Sequence, residues 1–166
     1  MEITETIEFD VFVGFAPVIR SFNTRIDEFN QQLSGPGFMP VTKRDTSSYT
    51  NNLQRPWGAE QTWPRKDDYG VYALLYCGVD DASVMHAYVG KASQKQIGHR
   101  LYNHLTPYRV AGSYVMHCGT MELKAIIATS APADRPYMAA ALEEFILARG
   151  LPDTTLLNTV GKRIKA

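Results

Sequence analysis

Two β-rich stretches around a short polar turn constrain the fold of this chain more than any other feature. GVYALLYCG at 70–78 and VMHAYVG at 84–90 are rich in β-branched and aromatic residues, and the turn-forming sequence VDDAS separates them. Short runs of this composition on either side of turn residues predict an antiparallel hairpin. If Tyr72 lies opposite Tyr88, the turn is centred near Asp80.

A short helix is predicted directly after the hairpin. Ser93 offers a hydroxyl for its N-terminus, and Gln96 follows at the spacing of a capping box, so the helix is expected to run to about Leu105. Its apolar stripe is formed by Ile97, Leu101 and Leu105. Arg100 and His104 then lie one turn apart on an adjacent flank, where both side chains can point to the edge of the core.

Four further elements follow from hydrophobic periodicity. Residues 9–15 alternate as in a short strand, residues 17–33 carry apolar side chains every three or four positions as in an amphipathic helix, and residues 121–129 predict a third strand. Asp134 opens a late helix that Gly150 closes. The apolar stripe of that helix is predicted to be Met138, Ala141, Leu142, Phe145 and the stem of Arg149, with Glu143 and Glu144 on its two sides.

Composition limits the classes of protein to which the chain can belong. With 166 residues and 45% apolar content it can bury a core, and the mixture of strands and helices predicts an α+β fold. The 17 basic and 17 acidic residues cancel, so a nucleic-acid partner must be held by a local patch. No apolar stretch approaches the roughly 20 residues of a membrane span. Cys77 and Cys118 lie far apart and form no CxxC motif, which favours a cytoplasmic protein without a membrane partner.

The character of the chain changes near residue 69. Residues 35–69 are rich in proline, glycine and basic side chains, and a loop of this length in a compact domain is usually functional or disordered. We therefore expect an N-terminal, helix-containing extension at 1–68 that packs on a better organised core at 69–166.

The order of the polar residues in that core resembles the GIY-YIG nuclease family. Gly70-Val71-Tyr72 is followed by Tyr88-Val89-Gly90, then by Arg100 and His104, and then by a glutamate in the late helix and an asparagine. The resemblance covers roughly residues 69–160. It implies a small three-stranded antiparallel sheet flanked by helices, and an endonuclease that acts alone, like a restriction enzyme or a nuclease of a bacteriophage or mobile element.

The resemblance also implies a role for each polar side chain in hydrolysis of a DNA phosphodiester bond. Tyr72 would orient or deprotonate the attacking water, its phenol acidified by nearby cations, while Tyr88 assists. Arg100 would grip the scissile phosphate through its planar fork. His104 would hydrogen-bond Tyr72 or shuttle its proton, and Lys91 would add positive potential beside the water.

One divalent ion, Mg²⁺ or Mn²⁺, is implied as well. Glu143 would ligate it through carboxylate oxygen. Glu144 is the alternative ligand, but Glu143 is followed by Ile146 and Leu147 at the offsets where the family usually has L-I. The residues implied to brace the site are Gly70, Gly90 and Asn158.

The expected partner is double-stranded DNA. Residues 1–68 would wrap or read the duplex, and a palindromic target would favour a homodimer. Candidate phosphate contacts are Arg55, Arg65, Lys66 and Lys95. Two alternatives stay open: a catalytically silent nucleic-acid-binding module on the same fold, and an unrelated α+β protein that binds a small molecule through its tryptophans.

Overall fold

The fold is α+β. The computed structural model describes residues 11–48, 63–78, 80–81, 83–105, 117–118 and 121–158. The helices are α1 (Val11–Gly14), α2 (Ala16–Asn30), α3 (Ile97–Leu105) and α4 (Met138–Arg149), with a 3-10 turn at Lys43–Asp45. The strands are β1 (Thr46–Ser48), β2 (Gly70–Gly78), β3 (Met85–Ala92), β4 (His117–Cys118), β5 (Met121–Ser130) and β6 (Thr155–Leu156). No helix in these ranges has both the length and the apolar character needed to cross a membrane.

The sheet is larger than the sequence predicts. Within the described residues five strands lie side by side in the order β1-β5-β2-β3-β6, and β4 pairs with β5. The strands predicted at 70–78, 84–90 and 121–129 are the three long ones, but the prediction of a three-stranded antiparallel sheet is wrong. Short strands were missed because two or three residues show no periodicity, and β6 pairs with β3 in parallel, so the sheet is mixed.

The central hairpin forms as predicted but in a different register. Tyr72 pairs with Gly90, and Leu74 rather than Tyr72 pairs with Tyr88. The turn is therefore centred one residue beyond Asp80. Because side chains alternate with a period of two, a shift of two residues leaves every side chain on its expected face of the sheet.

Helices α2 and α4 cover one face of the sheet. Their buried side chains share a hydrophobic core with the odd-numbered residues of β2, so the N-terminal helix packs directly on the sheet. The predicted helix at 17–33 is confirmed, although it ends at Asn30. The predicted strand at 9–15 is wrong, because Val11–Gly14 form a turn of helix instead, and a run this short does not separate the two periodicities. Residues 9 and 10 lie outside the described residues.

The late helix is confirmed with a different start and buried face. It begins at Met138 rather than at Asp134, and Gly150 adopts a φ of 76° just past its end. The buried residues of α4 are Met138, Ala139, Leu142 and Ile146. Ala141 is exposed, contrary to the predicted stripe, because the helix turns Ala139 and Ile146 towards the sheet.

Helix α3 covers the opposite face together with Trp63. The predicted stripe is confirmed, since Ile97 and Leu101 are fully buried and Leu105 nearly so. The predicted capping box of Ser93 and Gln96 is wrong, because α3 begins only at Ile97. Its first N–H groups are capped from a distant part of the chain instead.

Candidate active site

Tyr72 and His104 form the centre of the candidate site. Tyr72 lies on the central strand β2 and is fully buried. Its Oη is 2.7 Å from Nε2 of His104 on α3, which is a short hydrogen bond. Tyr88 lies on the same face of the neighbouring strand, and its ring meets that of His104 edge to face with 5.2 Å between centroids. The two predicted tyrosines thus converge on one imidazole.

The glycines of the two sequence motifs make room for this arrangement. A Cβ atom at Gly90 would overlap the ring and the Oη of Tyr72, which is its cross-strand partner. A Cβ atom at Gly70 would overlap the carbonyl oxygen of Thr129 on β5. Neither residue adopts a left-handed φ, so close approach rather than backbone conformation requires glycine here.

Burial controls the protonation of Tyr72. Removal from water raises the pKa of its phenol, and Tyr88 and Glu143 raise it further. The charge of Arg100 and a hydrogen bond from it lower the same pKa, but burial has the larger effect. The prediction that nearby cations acidify Tyr72 is therefore wrong. At neutral pH Tyr72 is therefore a neutral phenol, hydrogen-bonded to Nε2 of His104.

Arg100 carries an unused hydrogen-bond donor. Its side chain is half-buried on α3, and its Nε is buried without a hydrogen-bond partner among the residues that the structure describes. Buried polar atoms are normally paired, so an orphaned donor on a cation is a natural place for an anion to bind.

Glu143 and Lys91 meet where α4 packs on β3. Burial raises the pKa of the Glu143 carboxyl, and the charges of Lys91 and Arg100 act in the opposite direction. Glu143 is half-buried, whereas Glu144 lies on the exposed side of the helix. The helix therefore turns Glu143, and not the alternative ligand Glu144, towards the two cations.

Asn158 braces the strand that carries these residues. It is buried, its Nδ2 donates to the carbonyl oxygen of Val89 at 2.7 Å, and its Oδ1 accepts from the N–H of Val89 at 3.0 Å. The amide side chain thus imitates a neighbouring strand at the residue between Tyr88 and Gly90, just beyond the short β6 ladder.

The three predicted phosphate contacts that the structure describes lie near the beginning of α3. Arg65 Nε lies 2.6 Å from Asp45 Oδ1 in an ion pair. Lys66 is half-buried and contacts α3, while Lys95 is exposed just before that helix. Arg55 lies outside the described residues.

The site can accept Mg²⁺ only in an open form of coordination. In the part of the chain that the structure describes, no three His, Cys, Asp or Glu side chains are grouped to hold a metal. Glu143 supplies one hard carboxylate, and Mg²⁺ commonly binds through one or two carboxylates together with waters and substrate phosphate. The donor set fits such a shared ion and does not fit a closed protein cage.

Sequence reasoning missed Asp45, Trp63 and Asp68, which support α3 from outside the core motif. A signal was present for Asp45, because Thr42 and Asp45 have the spacing of a capping box, and the structure forms that box.

Comparison of the chain with protein-family models, curated proteins and solved structures gives no match.

Proposed function

We propose that this protein is a Mg²⁺-dependent endonuclease that hydrolyses phosphodiester bonds in DNA. The observation that carries the proposal is the Tyr72 Oη to His104 Nε2 hydrogen bond beside the orphaned Nε of Arg100. A proton-transfer pair next to an anion-binding cation is what attack of water on a phosphodiester requires. The resemblance to the GIY-YIG nucleases supports the same chemistry.

The Tyr72–His104 pair would act as a proton relay. A water bound to Tyr72 Oη loses one proton to that oxygen while the phenol proton passes to Nε2 of His104. The hydroxide forms the new bond to phosphorus, and the bond to the leaving alkoxide oxygen breaks. This relay needs no preformed phenolate, which agrees with the raised pKa of Tyr72.

Arg100 would bind the phosphate and, in doing so, make the phenol oxygen of Tyr72 accessible to a water molecule. Tyr72 is fully buried in the free protein, and Arg100 hydrogen-bonds to it. When the guanidinium turns to a phosphate, the phenol oxygen gains room for a water. Lys91, on the face of β3 opposite to Tyr88, would add positive potential. A Mg²⁺ ion held by Glu143 would neutralise charge on the phosphoryl oxygens and the leaving oxygen.

The proposal is tested with purified protein, plasmid DNA and genomic DNA in the presence of Mg²⁺ or EDTA. We expect cleavage with Mg²⁺ that is lost with EDTA and in Arg100→Ala and Glu143→Ala. Arg20→Ala and Glu122→Ala are matched controls, because both residues are charged and lie outside the site. Discrete bands instead of a smear would indicate a specific target sequence.

The other outcomes are equally informative. DNA binding that depends on Arg100 without any cleavage would support the catalytically silent module, and absence of both binding and cleavage would refute a nucleic-acid function. Glu143→Gln and Glu144→Gln separate the two carboxylates. Loss of cleavage in Glu144→Gln alone would move the metal ligand to Glu144.

A further inference from the structure

We infer that the ion pair of Asp45 and Arg65 is a positioning device that holds helix α3, with its Arg100 and His104, against Tyr72. The pair acts through residues 63–69, which we call the strap. The consequence for catalysis rests on the function proposed above, whereas the positioning itself can be measured without any activity.

The strap caps the beginning of α3. The N–H of Ile97 donates to the carbonyl oxygen of Asp68 at 2.9 Å, and the N–H of Gly98 donates to that of Lys66 at 2.8 Å. The first N–H groups of a helix have no partner within it, so these two bonds replace a side-chain cap. The contact is tight, because a Cβ atom at Gly98 would lie 2.9 Å from the Lys66 oxygen.

One end of the strap is fixed by the ion pair. Asp45 is only 3% exposed. Its Oδ1 receives Arg65 Nε at 2.6 Å, and its Oδ2 accepts hydrogen bonds from the N–H and the hydroxyl of Thr42 at 2.8 and 2.9 Å. Loss of one partner would leave a buried charge without compensation, so the pair holds Arg65 firmly to the N-terminal region.

The backbone of Arg65 shows that the strap is held in an unfavourable shape. Arg65 has a φ of 52°, a left-handed conformation that residues other than glycine, asparagine and aspartate adopt infrequently. Such conformations persist where the surrounding contacts enforce them. Here the left-handed residue lies immediately before Lys66, whose carbonyl must point at the helix.

The other end of the strap is anchored to β5, while Trp63 at the beginning of the strap packs in the core. Asp68 Oδ2 accepts a hydrogen bond from the Ser130 hydroxyl at 2.6 Å, and the carbonyl oxygen of Tyr69 accepts one from the N–H of Ala131 at 2.7 Å. Trp63 is 7% exposed and packs in the same hydrophobic cluster as α3. With both ends fixed, the strap sets the height of α3 above the sheet.

The position of α3 matters because the helix cannot define it alone. Helices of fewer than about 12 residues are not stable in isolation, so α3, with nine residues, takes its geometry from its contacts. The hydrogen bond between Tyr72 and His104 is short and depends on the angle between its two groups. A displacement of about 1 Å at such a pair is enough to reduce a reaction rate substantially.

Two variants test the inference from opposite sides of the contact. Arg65→Asn removes the guanidinium and keeps a residue that tolerates the left-handed φ. Gly98→Ala brings a Cβ against the Lys66 carbonyl, although alanine is the better helix former, so any loss is due to the contact and not to helix propensity. Arg25→Ala is the control, because it removes an arginine that bonds Glu28 and the Gly150 carbonyl on the other side of the sheet.

The readouts are amide hydrogen exchange of Ile97 and Gly98, and the NMR signal of the Tyr72 hydroxyl proton. In Arg65→Asn and Gly98→Ala we expect exchange at the two amides to accelerate about tenfold or more, the loss of roughly one hydrogen bond. We also expect the Tyr72 signal to move or broaden, with amides of α2 unchanged. Arg25→Ala should leave both readouts as in the wild type.

Activity then connects the device to catalysis. In both test variants the single-turnover cleavage rate at saturating DNA should fall about tenfold or more. Unchanged exchange and an unchanged Tyr72 signal in the two variants would overturn the inference even if the protein cleaves DNA. If the wild type does not cleave DNA, the proposed function fails, while the NMR readouts still decide whether the ion pair positions α3.

Discussion

Replacement of Gly90 by alanine should push Tyr72 out of its hydrogen bond with His104. A Cβ atom on residue 90 would lie 2.6 Å from Cε2 of the Tyr72 ring and still closer to its tip. Carbon atoms in contact normally lie about 3.5–4.0 Å apart, so the ring must move by roughly 1 Å. Tyr72 is fully buried, so its movement must displace neighbouring side chains.

The expected cost follows from two opposing effects. Overpacking of a well-packed core typically costs about 1–3 kcal/mol. Exchange of glycine for alanine returns about 0.4–1 kcal/mol, because the unfolded chain loses conformational freedom and the φ of Gly90 suits alanine. The net loss in the free energy of unfolding therefore lies between about 0 and 2.6 kcal/mol; its middle value of about 1.3 kcal/mol corresponds to roughly 3–5 °C in Tm for a chain of this size.

A double-mutant cycle separates the overlap from other effects. Tyr72→Leu removes the half of the ring that the new Cβ would meet, so Gly90→Ala should be neutral or slightly stabilising in that background. Urea unfolding of the wild type, the two single variants and the double variant measures the coupling. Gly35→Ala is the control, because its nearest neighbour is the flexible Arg135 side chain at 3.2 Å. An equal cost of Gly90→Ala in both backgrounds would refute the steric explanation.

Three further variants test the surroundings of the site by urea unfolding. Because burial raises the pKa of Glu143, the ionised carboxylate destabilises the fold. Glu143→Gln should therefore increase the free energy of unfolding at pH 7 and have no effect below the ordinary glutamate pKa of 4.5. A gain in stability that persists below that pH would contradict this explanation. Asn158→Ala should cost about 1–3 kcal/mol for each Val89 group left unpaired, and a loss under 0.5 kcal/mol would be too small. Leu101→Ala should cost about 2–5 kcal/mol through the cavity that it leaves against the sheet, and a surface-like loss would place Leu101 outside the core.

The parts of the fold that sequence predicts are those with local periodicity. The hairpin shows itself by β-rich runs on either side of a polar turn, and α3 by an apolar residue at every fourth position. The hydrogen bond between Tyr72 and His104 was one of two predicted roles for that histidine, and it follows from the faces that these elements present. The error in register does not affect the predicted face of Tyr72 and Tyr88, because Gly90, the actual partner of Tyr72, lies on the same face of β3 as Tyr88.

Arg65 shows why the rest could not be predicted. In sequence it is one of several basic residues in a proline-rich segment, a composition that suits a phosphate contact as well as a buried ion pair. Its partner Asp45 is twenty residues away and separated from it by a segment without periodicity. The true N-terminal cap of α3 is likewise made by backbone carbonyls of Lys66 and Asp68, and every residue type carries a carbonyl. Such contacts leave no trace in the sequence pattern.

The pKa of Tyr72 is the clearest case in which burial, and not the neighbouring charges, determines the protonation state of a side chain. The sequence places Arg100 and Lys91 near the phenol, and counting charges alone predicts an acidified tyrosine. Only the structure shows that the phenol is completely removed from water, and desolvation then outweighs the cation beside it. A reaction at this site must therefore begin from a neutral phenol. In the proposed relay the phenol proton would therefore pass to His104, whose Nε2 lies 2.7 Å from Tyr72 Oη.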